Sequence, residues 1–239
     1  MSSDPKNFWF PGRWVGGISM IIAPLLMLFS ELLRIQFGFF YPHQLQAFAD
    51  HPGRLTASYS LFLAGNILLW PAVITLVNLI GKRAPAWALW GGVLVILGLF
   101  ARTFHYGINH LAFQLVSVKG VESASNIIGD SYGAFHIVST LSAAIMFGWI
   151  VLAIGAYKSR VLNMTGSIGL GLMSALMLGV LKGGTYVSIV SILGLCIALL
   201  PLGKKVLSDG PIPKPKTILK WFFVILLATT IMYLFGQAG

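Results

Sequence analysis

Residues 98–116 read GLFARTFHYGINHLAFQLV and bring Arg102, His105, Asn109 and His110 within nine positions of one another, in a chain of which only 9% is charged. An arginine offers a planar fork of N–H donors for carboxylate or phosphate. An imidazole takes or gives a proton near neutral pH or ligates a metal, and a carboxamide both donates and accepts. At about 100° per residue in a helix, Arg102, Tyr106, Asn109 and Phe113 share one face, with His105 and His110 on its flanks. That arc is too polar to face lipid and requires a pocket or a partner helix.

A second charged group lies in SELLR, residues 30–34. Glu31 is about as far along its apolar run as Arg102 is along its own. A lone ion at membrane depth costs roughly 2.5–3.5 kcal/mol even on the lenient insertion scale, so an ion pair between Glu31 and Arg102 is expected. Arg34, one turn further on, competes for Glu31 by i,i+3 contact or snorkels to the interface.

Three kinds of chemistry fit these residues. In a binding protein, Arg34, Asn66, Arg102, Tyr106 and Asn109 hold a small ligand. In a membrane-embedded enzyme acting on a lipid or isoprenoid, Glu31 is the acid and His105 the base. In a metal or haem protein, His110 and His136 supply ligands from facing helices, and zinc or copper would recruit His43 or His51 as well. No HxxxH, HExxH or CxxCH spacing occurs, and no nucleotide-binding loop or Ser-His-Asp pattern is present. The plainer readings are a structural ion pair that fixes helix register and histidines hydrogen-bonded at the interface. An interaction or immunity-type membrane protein would need nothing more. Lys182, Thr185 and Tyr186 are placed to complete the rim.

The elements that position these groups are membrane helices. With 57% hydrophobic residues among 239, the chain lies outside the balance of soluble domains. Apolar runs fall near residues 14–37, 55–81, 86–116, 131–157, 164–181, 185–202 and 217–236, most of them long enough for the ~20 residues that cross a bilayer. The expected fold is a single all-α transmembrane domain of about seven helices spanning residues 1–239. The fifth and sixth runs are the shortest and are separated only by KGG, so one broken or re-entrant hairpin is the competing arrangement. The first run is too long for a signal-peptide core and is expected to be retained.

The net charge of +10 follows topology and gives no reason to expect a nucleic-acid partner. With a cytoplasmic N-terminus, the inner segments hold Lys6, Arg13, Lys82, Arg83, Lys158, Arg160, Lys204, Lys205, Lys214, Lys216 and Lys220. The outer ends hold Arg34, Arg54, Lys119 and Lys182. The positive-inside rule then orients the chain N-in and C-out. All five histidines fall on the outer half, while the inner halves of the third and fourth helices are apolar, which describes a cup open outward better than a pore. The outer connection YPHQLQAFADHPGRL, residues 41–55, reads as an interfacial loop with a short amphipathic turn, or as a lid. A single cysteine, Cys196, excludes an intrachain disulfide framework and a CxxC redox motif. Glycines 166, 169, 171 and 179 give residues 164–180 the composition of close helix packing in lipid, within the chain, with a second copy or with a membrane partner.

Two segments, LLWPAVITLVNLIGKRAPAWALWGGVLVILGLFAR at 68–102 and AYKSRVLNMTGSIGLGLMSALMLG at 156–179, resemble the DUF4386 family of bacterial multi-pass membrane proteins. The likeness lies in a helix, basic turn and helix with a late arginine, followed by a Y-x-S-R turn into a Gly-rich helix, and it covers about a quarter of the chain. HYGINH stands where the family has an acidic residue. The resemblance implies a location in a bacterial plasma membrane and carries no chemistry with it.

Overall fold

The computed structural model describes residues 9–131, 137–176 and 178–238. Its elements are helices α1 (Arg13–Arg34), α2 (Tyr41–Asp50), α3 (Pro52–Gly81), α4 (Pro85–Ser131), α5 (Ile137–Lys158), α6 (Met164–Gly171), α7 (Tyr186–Ser208) and α8 (Pro215–Ala238), with a 3-10 turn at Leu172–Ala175. Six of them, α1, α3, α4, α5, α7 and α8, are long and apolar enough to cross a membrane. In a bilayer each backbone polar group must be satisfied within the protein, and a continuous helix does this along its own axis.

α1 and α3 run antiparallel. Ser58 donates to the Ser30 carbonyl at 2.8 Å near one end, and at the other Gly16 lies against Thr75. Between these points a Cβ at Gly65 would lie 2.9 Å from the Ala23 carbonyl, so only glycine lets the two backbones come this close. α7 packs antiparallel to α1 by the same device, since a Cβ at Gly203 would lie 2.9 Å from the Gly17 carbonyl. α5 lies on α4, where a Cβ at Gly91 would come within 2.8 Å of the Leu152 backbone.

The seven-helix expectation is corrected at its fifth member. The apolar run at 164–181 is not one helix: α6 covers only 8 residues, the 3-10 turn follows, and residues 178–185 are irregular. Asn163 starts α6 by accepting from the Gly166 N–H at 2.9 Å. The helix does not resume because positive φ at Gly179 (154°) and Leu181 (51°) turns the backbone out of helical geometry. This segment begins beside the end of α5, where Arg83 donates to the Ser159 carbonyl at 3.4 Å, and ends beside the turn after α1, where the Gly183 N–H donates to the Phe39 carbonyl at 2.9 Å. It therefore traverses the bundle from end to end as a broken element. The competing arrangement, a single broken or re-entrant hairpin, differs as well, since α7 (Tyr186–Ser208) is long and apolar enough to cross a membrane by itself.

α4 is 47 residues long but is interrupted at Gly120, whose φ of 78° and ψ of 168° suit glycine alone. Beyond this kink the chain meets α2, with the Tyr41 hydroxyl 2.9 Å from where a Gly129 Cβ would be. α2 itself is a packed roof. Gln44, Leu45, Ala47 and Phe48 are buried, and Phe48 stacks on Phe113 with ring centres 4.5 Å apart. α8 stands apart with its side chains exposed along its length.

α6 and α7 meet glycine on glycine, where a Cβ on Gly194 would lie 2.6 Å from the Gly169 carbonyl. Gly169→Leu is expected to lower the unfolding temperature in detergent by several degrees. Gly107, which has no atom within 4 Å of its would-be Cβ, should accept Ala with no loss. Equal unfolding temperatures for the two variants would contradict the packing described.

Candidate functional site

The last turn of α1 carries Glu31 and Arg34, both buried, and their spacing of three residues brings them together on one helix face. Arg34 Nη2 donates to Glu31 Oε1, forming an ion pair within α1. The same guanidinium donates through Nη1 to the Tyr106 hydroxyl at 3.3 Å and lies 4.9 Å from the ring centres of both Tyr59 and Phe62. The carboxylate thus pairs with Arg34 and not with Arg102, because a partner one turn away on the same helix requires no adjustment between helices. Arg102 is 2% exposed and reaches the break instead, donating from Nη2 to the Leu176 carbonyl at 3.4 Å.

Asn109, two turns beyond Arg102 on α4, holds the break from the other side. Its Oδ1 accepts from the Leu181 N–H at 2.6 Å. Tyr59 donates to the Gln44 carboxamide oxygen at 3.0 Å, and Gln44 donates to the Gly38 carbonyl at 2.6 Å, so the roof helix is tied to α3 and to the turn after α1. The Lys182 ammonium lies 5.0 and 5.3 Å from the rings of Phe39 and Phe40.

These groups surround one small cavity of about 20 Å³, walled by Glu31 and Arg34 of α1, Arg102, Tyr106 and Asn109 of α4, Leu176, Lys182 and Gly183 of the broken segment, and Ser188 of α7. Its room corresponds to about one water molecule or a single-atom ion. Several polar atoms on this wall are buried without a hydrogen-bond partner among the described residues: Glu31 Oε2, Arg34 Nε and Arg102 Nη1. Leaving such a group unsatisfied costs about 1–3 kcal/mol, and more for a charged one.

The remaining candidates are elsewhere. Asn66 joins α3 to α4, donating to the Leu99 carbonyl at 3.2 Å and to Thr103 at 3.0 Å. His105 is buried with Nδ1 2.8 Å from the Ala101 carbonyl of its own helix and does not line the cavity. His110 is exposed and borders a different cavity of about 140 Å³, with Phe48, Thr56, Tyr59, Ser60 and Gln114. His136 lies outside the described residues, so its pairing with His110 is not described. Among the described residues no group of three or more His, Cys, Asp and Glu side chains could hold a metal ion. The sequence did not point to Tyr59, Phe62 or the Leu176 carbonyl, since an aromatic on an apolar face and a main-chain oxygen leave no mark in a motif. The two glycines after Lys182 were the available signal for the break.

The helices and their packing define the class: the chain is an all-helical, multi-pass membrane protein. Comparison with family models, with curated proteins and with solved structures gives no match.

Asn109→Ala removes the acceptor for a buried backbone N–H and is expected to cost about 1–3 kcal/mol. Hydrogen exchange should then rise at Leu181 and its neighbours while α3 stays protected. Glu31→Gln leaves buried guanidinium charge without its carboxylate and should cost more, about 3–5 kcal/mol. Comparing the unfolding temperatures of the two variants in detergent checks the order.

Proposed function

We propose that this protein is a binding protein of a bacterial plasma membrane, oriented N-in and C-out, with a pocket in its outer half that takes a small ligand. The observation that carries the reading is the set of unpartnered buried polar atoms of Glu31, Arg34 and Arg102 on one cavity wall. Intramembrane charges are retained where they serve a ligand or a path, because their burial otherwise only costs stability. The break that closes the cavity fits the same reading, since irregular backbone at membrane depth is tolerated where it lines a cavity.

The orientation draws support from the ends of the bundle. Arg13 donates to the Pro211 carbonyl at 2.5 Å and Arg83 to that of Ser159, so the basic connections gather at the end where α1 begins. The pocket lies where α1 ends. The resemblance to the DUF4386 family supports the bacterial membrane location. The enzyme reading has less support, since Glu31 is engaged by Arg34 and His105 by its own helix.

Two measurements test the proposal. In a Cys196→Ala background, Lys119→Cys should react with an impermeant maleimide added to intact cells, whereas Arg83→Cys should react only after lysis; the reverse pattern would refute the orientation. Organic extracts of protein purified in mild detergent should contain a compound that is absent from the Arg102→Met variant. Identical extracts and identical halide contents, together with an Arg102→Met protein as stable as the parent or more so, would refute a ligand role for the Arg102 charge, since an apolar replacement of a buried ion is often neutral or stabilising.

A further inference from the structure

The cavity walls carry more positive than negative charge. Arg34, Arg102 and Lys182 line it together with one carboxylate, Glu31, whose Oε1 is engaged by Arg34 and whose Oε2 has no partner among the described residues, so the positive charges outnumber the negative. Among the described residues Arg102 has a single long hydrogen bond, to a carbonyl, and its Nη1 is buried without a partner. α7 adds to the bias. Its first turn supplies Ser188 to the wall, and the N-terminal end of a helix is electropositive.

Resting on the binding reading above, we infer that the pocket is selective for an anionic group, held by Arg102 Nη1, Arg34 Nε and the Tyr106 hydroxyl. All three residues line the cavity. The Tyr106 oxygen accepts from Arg34, and its own proton remains to be donated. A neutral ligand could fill hydrogen bonds but would leave the excess charge of Arg102 in a poorly screening interior, and a cation would add to it. The cavity of about 20 Å³ admits a halide or the tip of a carboxylate or phosphate ester, not a whole organic acid. The shared chemistry is a compact anion with acceptor lone pairs, which either the outer aqueous phase or a lipid headgroup supplies.

The test compares thermal unfolding of the full chain in detergent in sodium chloride, sodium formate and sodium gluconate at equal ionic strength. Chloride or formate should stabilise the parent saturably relative to the bulkier gluconate. Tyr106→Phe keeps the ring that stacks on Phe62 with centres 5.1 Å apart and removes one donor. It should raise the anion concentration at half-effect about tenfold. Arg102→Gln should abolish the saturable effect and Arg102→Lys should retain part of it.

A second arm uses nanodiscs of phosphatidylcholine with and without phosphatidylglycerol. Arg102-dependent stabilisation by phosphatidylglycerol alone identifies a headgroup as the anion, and by the salts alone a free ion. If neither arm depends on Arg102 or Tyr106, the anion assignment is overturned. A neutral compound that co-purifies with the parent and not with Arg102→Met would then leave the binding reading standing without it.

Discussion

Inside a bilayer a peptide N–H has no water to turn to, and the interruption after Ala175 takes peptide groups out of helical bonding in the middle of the bundle. The arrangement around the pocket depends on how they are satisfied. Asn109 accepts from Leu181, and the Phe39 carbonyl accepts from Gly183, so α4 and the turn after α1 hold the broken segment in place. Held there, the segment presents the Leu176 carbonyl to Arg102 and lays Gly184 against the end of α1 and Gly183 against the turn after it. A continuous helix through residues 164–181 would satisfy its own peptide groups and offer Arg102 no carbonyl.

Small residues make this possible on the apolar side. Between α6 and α7 the contact is glycine on glycine, and between α1 and α3 it is Gly65 on the Ala23 backbone. Lipid tails are as apolar as leucine, so helices in a bilayer gain little from burying leucine and more from close backbone contact. This packing holds α6 against α7, and with it the carbonyls and N–H groups of the break that follows.

The charges are arranged with economy. Arg34 reaches Glu31 within one helix, Tyr106 across to α4, and the faces of Tyr59 and Phe62 on α3. One guanidinium therefore links three helices and holds the carboxylate away from Arg102. Arg102, less well satisfied, is the group whose protonated fork remains for something else, and with Asn109 it is one of two α4 side chains described as bonding to the break.

The sequence by itself determined the solvent and the secondary structure. Apolar runs of spanning length, little charge and glycines spaced for close contact specify a helical membrane bundle, because hydrocarbon leaves helices as the local solution for these backbones. It also marked Glu31, Arg34, Arg102, Tyr106 and Asn109, since polar groups inside apolar runs stand out by cost alone. It did not decide which of them meet. The Glu31 partner, the separation of His105 and His110 from the pocket, and the fate of residues 172–185 follow from helix rotation and register. These are set by side chains and backbones distant in the chain, whose contacts no local pattern encodes.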